Sequence, residues 1–173
     1  MIKRPFISLL NTTIRNKDKR GYLDILYEDG GCVLKQSFSK AGVFRGMHWQ
    51  REPYSQKKII RVISGKIIDF VMDVSKSPVQ ISYQELESKD DWILIDAHLA
   101  HGFYAIEDTH FEYLCIGEYK SEFEESYSII DFLKTNLEIL DPILSEKDRA
   151  AISVSDSNIS IKNNKKFLIS VSN

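Results

Sequence analysis

Short β-rich runs separated by turn residues constrain the fold of this chain more than any other feature of its sequence. The runs contain many Ile, Val, Phe and Tyr side chains, which favour strands. The separators, such as Ser64-Gly65 and Lys76-Ser77-Pro78, are typical turn sequences. Such spacing predicts a mainly β domain, either a sandwich or a barrel. The predicted strands are 31–38, 57–63, 66–74, 80–86, 92–95, 102–106 and 113–119.

Local signals add one turn and two helical segments to these strands. Gly65 lies between two apolar runs and can adopt the positive φ of a tight turn, so we expect a hairpin there. Apolar residues near helical spacing predict a helix within 126–140. Ser145 offers an N-cap just before residues 149–152, which predicts a second, short helix.

Composition excludes several classes of protein. The 23 basic and 25 acidic side chains are mixed along the chain, so no basic surface for nucleic acid is implied. Cys32 and Cys115 lack the spacing of a disulfide framework or a zinc site, and we interpret both as buried side chains in a reducing compartment. The apolar run near the N-terminus is too short for a signal peptide, and no stretch could span a bilayer. We therefore expect a cytoplasmic protein with no membrane partner.

The length of 173 residues fits one globular domain. We assign residues 1–152 to that domain. The segment 153–173 is rich in Ser, Asn and Lys and ends near an apolar patch, Phe167-Leu168-Ile169. It is either a polar tail or an extra strand, and the sequence leaves both alternatives open.

Ordered motifs between residues 18 and 148 carry the functional information. They include Arg45-Gly46-Met47-His48-Trp49-Gln50, Lys58-Ile59-Ile60-Arg61-Val62 ahead of Gly65, and then Asp73. Asp18-Lys19-Arg20-Gly21-Tyr22 precedes them, and Ala100-His101-Gly102-Phe103, Tyr113 and Leu144-Ser145-Glu146-Lys147-Asp148 follow. Together they resemble the dTDP-4-dehydrorhamnose 3,5-epimerase family over about residues 15 to 150.

The same residue types suit the chemistry of such an epimerase. A 4-keto group acidifies the hydrogens on both neighbouring carbons, so inversion needs a base on one face, a proton donor on the other and a cation beside the enolate. His48 suits the base, because its ordinary pKa lies near neutrality. Tyr113 suits the donor and Lys58 the cation. The resemblance implies that Asp148 orients His48, and that Lys58 rather than Lys57 points inward, since strand neighbours face opposite sides.

The resemblance also implies a fold, an assembly and a set of binding residues. The fold is a cupin-type jelly-roll β-barrel with a few short C-terminal helices, assembled as a homodimer by exchange of N-terminal segments, so that Arg20 reaches the partner's site. The substrate is a nucleotide-linked deoxysugar, a precursor of polysaccharides such as lipopolysaccharide. No cofactor is implied, and no metal, because Gln50 stands where metal-binding cupins carry a histidine. The implied substrate-binding residues are Arg20 and Arg45 on the diphosphate, with Gln50, Asp73, His101 and Tyr119.

Departures from the family pattern fall on nucleotide recognition. Lys35, Ser37 and Ile25 occupy places where the family carries a Gln, an Asn and a Glu, and an arginine is missing just after Asp73. The nucleotide is therefore left open among dTDP, CDP, GDP and UDP. Two alternatives remain. One is a single-site epimerase or ketoisomerase, and the other is a cupin that binds nucleotide sugars without catalysis.

Overall fold

The computed structural model describes residues 14–162 and 169–170, and this part of the chain forms two sheets of seven strands each. The first sheet has the order β1-β2-β3-β10-β5-β8-β14 and the second the order β12-β11-β4-β9-β6-β7-β13. The strands are β1 Ile14–Asp18, β2 Gly21–Asp29, β3 Cys32–Ser39, β4 Phe44–Gln50, β5 Lys57–Ser64, β6 Lys66–Asp73, β7 Val79–Glu87, β8 Ile93–Ile95, β9 Ala100–Ala105, β10 Thr109–Ile116, β11 Glu124–Ser128, β12 Ile152–Ser153, β13 Ile159–Ile161 and β14 Ile169–Ser170.

Two apolar clusters hold these layers together. One lies between the sheets and includes Ile60 and Phe111 from the first sheet and Val71 and Phe103 from the second. The other lies on the outer face of the second sheet, under the helix α1 (Ile130–Leu137). This face-to-face arrangement of two curled sheets confirms the predicted cupin-type jelly roll.

Strand β6 shows how the sequence produces these layers. Alternate residues of a strand point to opposite faces. Ile67 and Val71 accordingly enter the cluster between the sheets, whereas Phe70 and Met72 enter the cluster under α1. Because β6 is buried on both faces, its sequence is almost continuously apolar. A charged residue inside that run, Asp69, is therefore exceptional.

Most predicted strands are confirmed, but five were missed: β1, β2, β4, β11 and β12. Strands β13 and β14 lie in the segment for which the sequence left a tail and an extra strand open. The predicted hairpin at Gly65 is wrong. Gly65 has the expected positive φ of 86°, yet it links β5 of the first sheet to β6 of the second, so the two strands form no common ladder. The predicted turn at Gly65 is present. The strands β5 and β6 on either side of it pair with other strands and not with each other.

The late helices are shorter than expected or displaced. Helix α1 covers only part of 126–140, because β11 takes the first residues and Glu138 ends the helix in the left-handed conformation with φ 56°. Ser145 does cap a helix, but this is α2, Glu146–Arg149, and not a helix over 149–152.

The chain from Ile152 onward contributes strands at three places. β12 pairs with β11, β13 pairs with β7, and β14 pairs with β8. The apolar patch at 167–169 lies mostly outside the described residues. The division of the chain into a domain over 1–152 and a C-terminal segment stays a prediction.

Among residues 14–162 and 169–170, no helix has the length and apolar character needed to cross a membrane.

Candidate active site

A cavity of about 380 Å³ opens between the two sheets. Strands β3, β5 and β10 form one wall, β4 and β9 form the other, and β11 and α2 contribute residues at the same site. Its lining residues include Arg20, Leu23, Lys35, Arg45, His48, Gln50, Lys58, His101, Phe103, Phe111, Tyr113, Cys115, Tyr119, Glu124, Ser145, Lys147 and Asp148. The structure thus collects residues that are more than 120 positions apart in the sequence.

A close glycine contact brings β4 and β9 together beside this cavity. Gly46 has φ 130°, and a Cβ on it would lie 2.4 Å from the Cα of Gly102. Any side chain here would collide with backbone, so glycine is required. The close approach places His48 directly opposite His101 in the β4–β9 ladder.

His48 and Asp148 form a pair, with His48 Nε2 2.9 Å from Asp148 Oδ1. The carboxylate is almost completely buried, and its other oxygen accepts hydrogen bonds from the Ser145 hydroxyl and from Arg20 Nη1. Burial alone would raise the pKa of Asp148. The contact with His48, the Ser145 hydroxyl and the Arg20 charge outweigh it, so the pKa lies below its usual value. Asp148 is therefore an anion beside His48 at neutral pH.

The second nitrogen of His48 faces strand β11. Ser126 lies opposite His48 in the ladder, and its Oγ is 3.0 Å from His48 Nδ1. Glu124 Oε1 lies 3.6 Å from the same nitrogen, and Oε2 of this carboxylate contacts Lys147 Nζ at 2.6 Å. His48 thus has a carboxylate near each ring nitrogen. Sequence reasoning missed Ser126 and Glu124, because both belong to a strand that it did not predict.

Lys58 points into the cavity, whereas its neighbour Lys57 is exposed, as the family resemblance implied. The Lys58 ammonium donates a hydrogen bond to the backbone carbonyl of His48 at 3.0 Å. Burial lowers the pKa of Lys58, and the nearby Lys35 lowers it further. Lys58 forms no ion pair with any residue that the structure describes.

Tyr113 lines the opposite wall from His48, on β10 of the first sheet. Its ring packs against Phe111, with the centroids 5.7 Å apart. Burial raises the pKa of the phenol, although the charge of Arg45 partly opposes the shift. The side chain is therefore a protonated phenol at neutral pH.

Arg20 and Arg45 both line the cavity, with different partners. Arg20 contacts Asp18 and Asp148 of its own chain, and its reach into a partner's site stays a prediction. Its place on the turn between β1 and β2 brings it to α2 of the same molecule. Arg45 donates to the Ser39 hydroxyl and to the Phe38 carbonyl, and it has no carboxylate partner in the described residues.

His101 lines the cavity next to His48 and is held by a buried carboxylate. Its Nε2 lies 2.7 Å from Oδ1 of Asp69, and both side chains are nearly inaccessible. Sequence reasoning missed Asp69, although a charge within the apolar run of β6 was a usable signal, since buried charges need a partner.

The prediction that Asp73 lines this cavity is wrong. It ends β6, four residues beyond Asp69, which is roughly 13 Å at 3.3 Å per residue. Its carboxylate accepts from the backbone N–H and the hydroxyl of Ser75. Asp73 therefore stabilises the turn that follows the strand.

Gln50 and Tyr119 line the cavity but are engaged by the protein itself. Both N–H groups of the Gln50 amide donate to the carbonyls of Tyr54 and Glu118, and its oxygen accepts from the N–H of Lys120. Gln50 thus anchors two loops, and little hydrogen-bonding capacity remains for a substrate. The Tyr119 hydroxyl donates to Glu124 at 2.7 Å.

Within residues 14–162 and 169–170, no group of three or more His, Cys, Asp or Glu side chains is arranged to hold a metal ion. The acidic residues around the cavity instead pair with histidines and cations, as Asp69 does with His101 and Glu124 with Lys147.

The fold and the site define the class of this protein: it is a cupin-type barrel whose cavity combines a histidine–carboxylate pair, a buried phenol and an ammonium group. The family model described as dTDP-4-dehydrorhamnose 3,5-epimerase matches residues 12–156. The chain belongs to the dTDP-4-dehydrorhamnose 3,5-epimerase family.

Several relatives place the chain within this family. A dTDP-4-dehydrorhamnose 3,5-epimerase of Mycobacterium tuberculosis (strain CDC 1551 / Oshkosh) is 34% identical over 129 residues, which cover 69% of this chain and 64% of the relative. The match thus spans slightly less than two thirds of that relative. The crystal structure of the Sulfolobus tokodaii enzyme is 31% identical, with a TM-score of 0.59 and coverage of 80% of this chain and 85% of that one.

A structure from Bacillus anthracis, described as dTDP-4-dehydrorhamnose 3,5-epimerase with TDP and PPi bound, is 27% identical. Its TM-score is 0.64, and the match covers 82% of this chain and 91% of that one.

Proposed function

We propose that this protein is an epimerase of nucleotide-linked 4-keto-6-deoxyhexoses, which removes and returns protons at C3, C5 or both. The observation that carries the proposal is the placement of His48 and Tyr113 on opposite sheets of one cavity. A base and a proton donor on opposite faces of an enolate are what inversion requires, because a single base would mostly return the proton to the original face.

The contacts of His48 support its role as the base. Asp148 Oδ1 lies 2.9 Å from Nε2 and favours the tautomer with the proton on that nitrogen, which leaves Nδ1 as the basic nitrogen. The Ser126 hydroxyl lies 3.0 Å from Nδ1, and the proposed role of His48 requires the substrate C–H to replace it there. Once Nδ1 takes the proton, the imidazolium lies between Asp148 and Glu124, and both carboxylates stabilise it.

Lys58 and Tyr113 complete the proposed reaction. Removal of the proton leaves negative charge on the former ketone oxygen, and the ammonium of Lys58 stabilises that charge. The Tyr113 phenol then donates its proton to carbon from the other face. The resulting phenolate is stabilised by the nearby guanidinium groups of Arg45 and Arg20, which already favour its charged form.

Deuterium exchange tests this proposal. The protein is incubated with dTDP-4-keto-6-deoxyglucose in deuterated water, and incorporation at C3 and C5 is followed by NMR and mass spectrometry. Exchange at both carbons is expected for a 3,5-epimerase, and exchange at one carbon identifies a single-site epimerase. Absence of exchange with this substrate and with the CDP-, GDP- and UDP-linked analogues would contradict catalysis and favour a binding protein.

The substrate's nucleotide is proposed to be dTDP, because the Bacillus anthracis relative binds TDP. The residues at the places of family nucleotide contacts differ here, so the same exchange series across four nucleotides also measures this preference. The cytoplasmic location and the role in deoxysugar precursor synthesis stay predictions from the sequence.

Replacing Lys58 with methionine is expected to lower kcat by about 10²- to 10³-fold, the usual effect of removing one group that stabilises an oxyanion. Methionine fills a similar volume without charge, so thermal stability is expected to stay equal or to rise, since a partly buried cation without a carboxylate is removed. The matched control is Lys57→Met on the opposite face of β5. A Lys58→Met enzyme with unchanged kcat would remove Lys58 from the mechanism.

We further propose that the protein is a homodimer formed through the outer face of the first sheet. An apolar row crosses five adjacent strands there, with each residue paired to the next in the ladders. The row consists of Tyr27, Leu34, Leu114, Ile59 and Leu94. A second copy would cover this face, which is unusually apolar for a surface in water.

Sedimentation velocity tests the dimer. The wild-type chain is expected to sediment with twice its monomer mass, and Leu114→Glu is expected to produce monomers, because a charge would be buried at the centre of the row. Leu140→Glu is the control, since Leu140 is 71% exposed and outside the row. A Leu114→Glu variant that remains dimeric would place the interface elsewhere. Exchange of N-terminal segments remains part of the proposal: β1 lies at the edge of the first sheet, where a partner's segment could add.

A further inference from the structure

Lys35 brings a positive charge into the cavity. It lies on β3 directly opposite Tyr113 in the β3–β10 ladder. Its Nζ is 5.8 Å from the ring centroid of Tyr113 and 5.8 Å from that of Tyr119. It forms no ion pair with any residue in the described part of the chain.

Three cations in the cavity have no carboxylate partner among the described residues: Lys35, Lys58 and Arg45. The other two, Arg20 and Lys147, have carboxylate partners. Burial lowers the pKa of Lys58, and the charge of Lys35 lowers it further, so the two ammonium groups repel each other. Like charges held together in a partly desolvated cavity favour the binding of an anion with several charges.

The position of Lys35 indicates which part of the substrate it meets. Tyr113 and Lys58 belong to the inner part of the cavity, where the reacting sugar must lie. Tyr119 is 47% exposed and marks the mouth. Lys35 lies between the two tyrosines, at the point where the phosphate chain must pass between an inner sugar and an outer nucleoside.

We propose that Lys35 is a specificity-determining residue that binds the diphosphate of the substrate, opposite Arg45 on the other sheet. This inference rests on the proposed function, because it takes the ligand to be a nucleotide sugar. A phosphate chain is the same in every nucleoside diphosphate, so a contact from the Lys35 ammonium makes recognition in this chain depend less on the identity of the base.

Calorimetric binding of thymidine, dTMP and dTDP to wild type, Lys35→Met, Lys35→Gln and Lys35→Arg tests this inference. Lys35→Met and Lys35→Gln are expected to weaken dTDP binding about tenfold or more, the usual effect of losing a charge-assisted contact. Thymidine binding is expected to stay unchanged, and Lys35→Arg to stay close to wild type. Equal weakening of thymidine and dTDP, or no weakening of dTDP, would overturn the inference.

Two further measurements distinguish the role of Lys35 from recognition of the base and from the proposed function. UDP, CDP and GDP are titrated in parallel. Lys35→Met is expected to weaken the binding of every nucleoside diphosphate that the wild type binds. A wild type that binds no nucleoside diphosphate would overturn the inference. Deuterium exchange is measured independently, so an enzyme that binds dTDP without exchanging would contradict the proposed function and leave the role of Lys35 standing. In an active enzyme, Lys35→Met is expected to raise KM about tenfold with little change in kcat.

Discussion

The His48→Ala variant is expected to lose deuterium uptake at both C3 and C5 and to turn over about 10²- to 10⁴-fold more slowly than the wild type. This is the range that a positioned general base contributes. The effect should lie near the upper end, because the carboxylates of Asp148 and Glu124 flank the imidazole and stabilise its charged form. Exchange is measured by NMR on the purified variant, with dTDP affinity recorded to show that the cavity is intact.

Two variants serve as comparisons for His48→Ala. His98→Ala removes an exposed histidine outside the cavity and is expected to leave exchange unchanged. Asp148→Asn keeps the shape of the carboxylate without its charge, and it is expected to slow exchange, because the imidazolium loses one of the two carboxylates that stabilise it. If His48→Ala exchanged deuterium at the wild-type rate, another group would have to be the base.

Tyr113→Phe is expected to separate exchange from inversion. The phenylalanine keeps the ring contact with Phe111 but has no proton to donate. His48 should still remove and return protons on its own face, so deuterium uptake continues. Net epimerisation should fall by about 10²- to 10⁴-fold, because the second face has lost its donor. Product stereochemistry by NMR, read beside deuterium content in one sample, measures both quantities.

Tyr104→Phe is the matched control for this experiment. Tyr104 lies on β9 and packs against the cluster under α1, away from the cavity. It is expected to epimerise at the wild-type rate. If Tyr113→Phe inverted the stereocentre as fast as the wild type, another group or a water would have to be the proton donor. Tyr113 would then have no catalytic role.

Local patterns were sufficient for those parts of the site that lie within single strands. Lys58 and Lys57 face opposite sides because neighbours on a strand alternate, and the family resemblance implied that Lys58 is the one that faces the cavity. Ser145 caps α2 and also donates to Asp148, so one predicted N-cap positions a predicted site residue. The boundaries of most predicted strands differ from the observed ones by one to a few residues.

Contacts between distant strands could not be predicted in the same way. Glu124 and Ser126 reach His48 only because β11 pairs with β4, and the sequence of β11 is too polar to indicate a buried strand. Asp69 and Asp73 lie on the same face of β6, two residues on either side of Val71, which pairs with His101 on β9, but only Asp69 contacts the His101 ring. Their sequence environments do not distinguish them.

The sequence by itself determined the fold class, the turn at Gly65 and the set of residue types that proton transfer requires, because strand alternation, turn preferences and side-chain chemistry are local properties. Only the tertiary structure decided that β5 and β6 belong to different sheets, that Arg20 contacts Asp148, and that Lys35 has no counterion among residues 14–162 and 169–170. These outcomes depend on which distant strands pair and in which register. Long-range pairing is set by the burial of the whole core, and no short stretch of the chain encodes it.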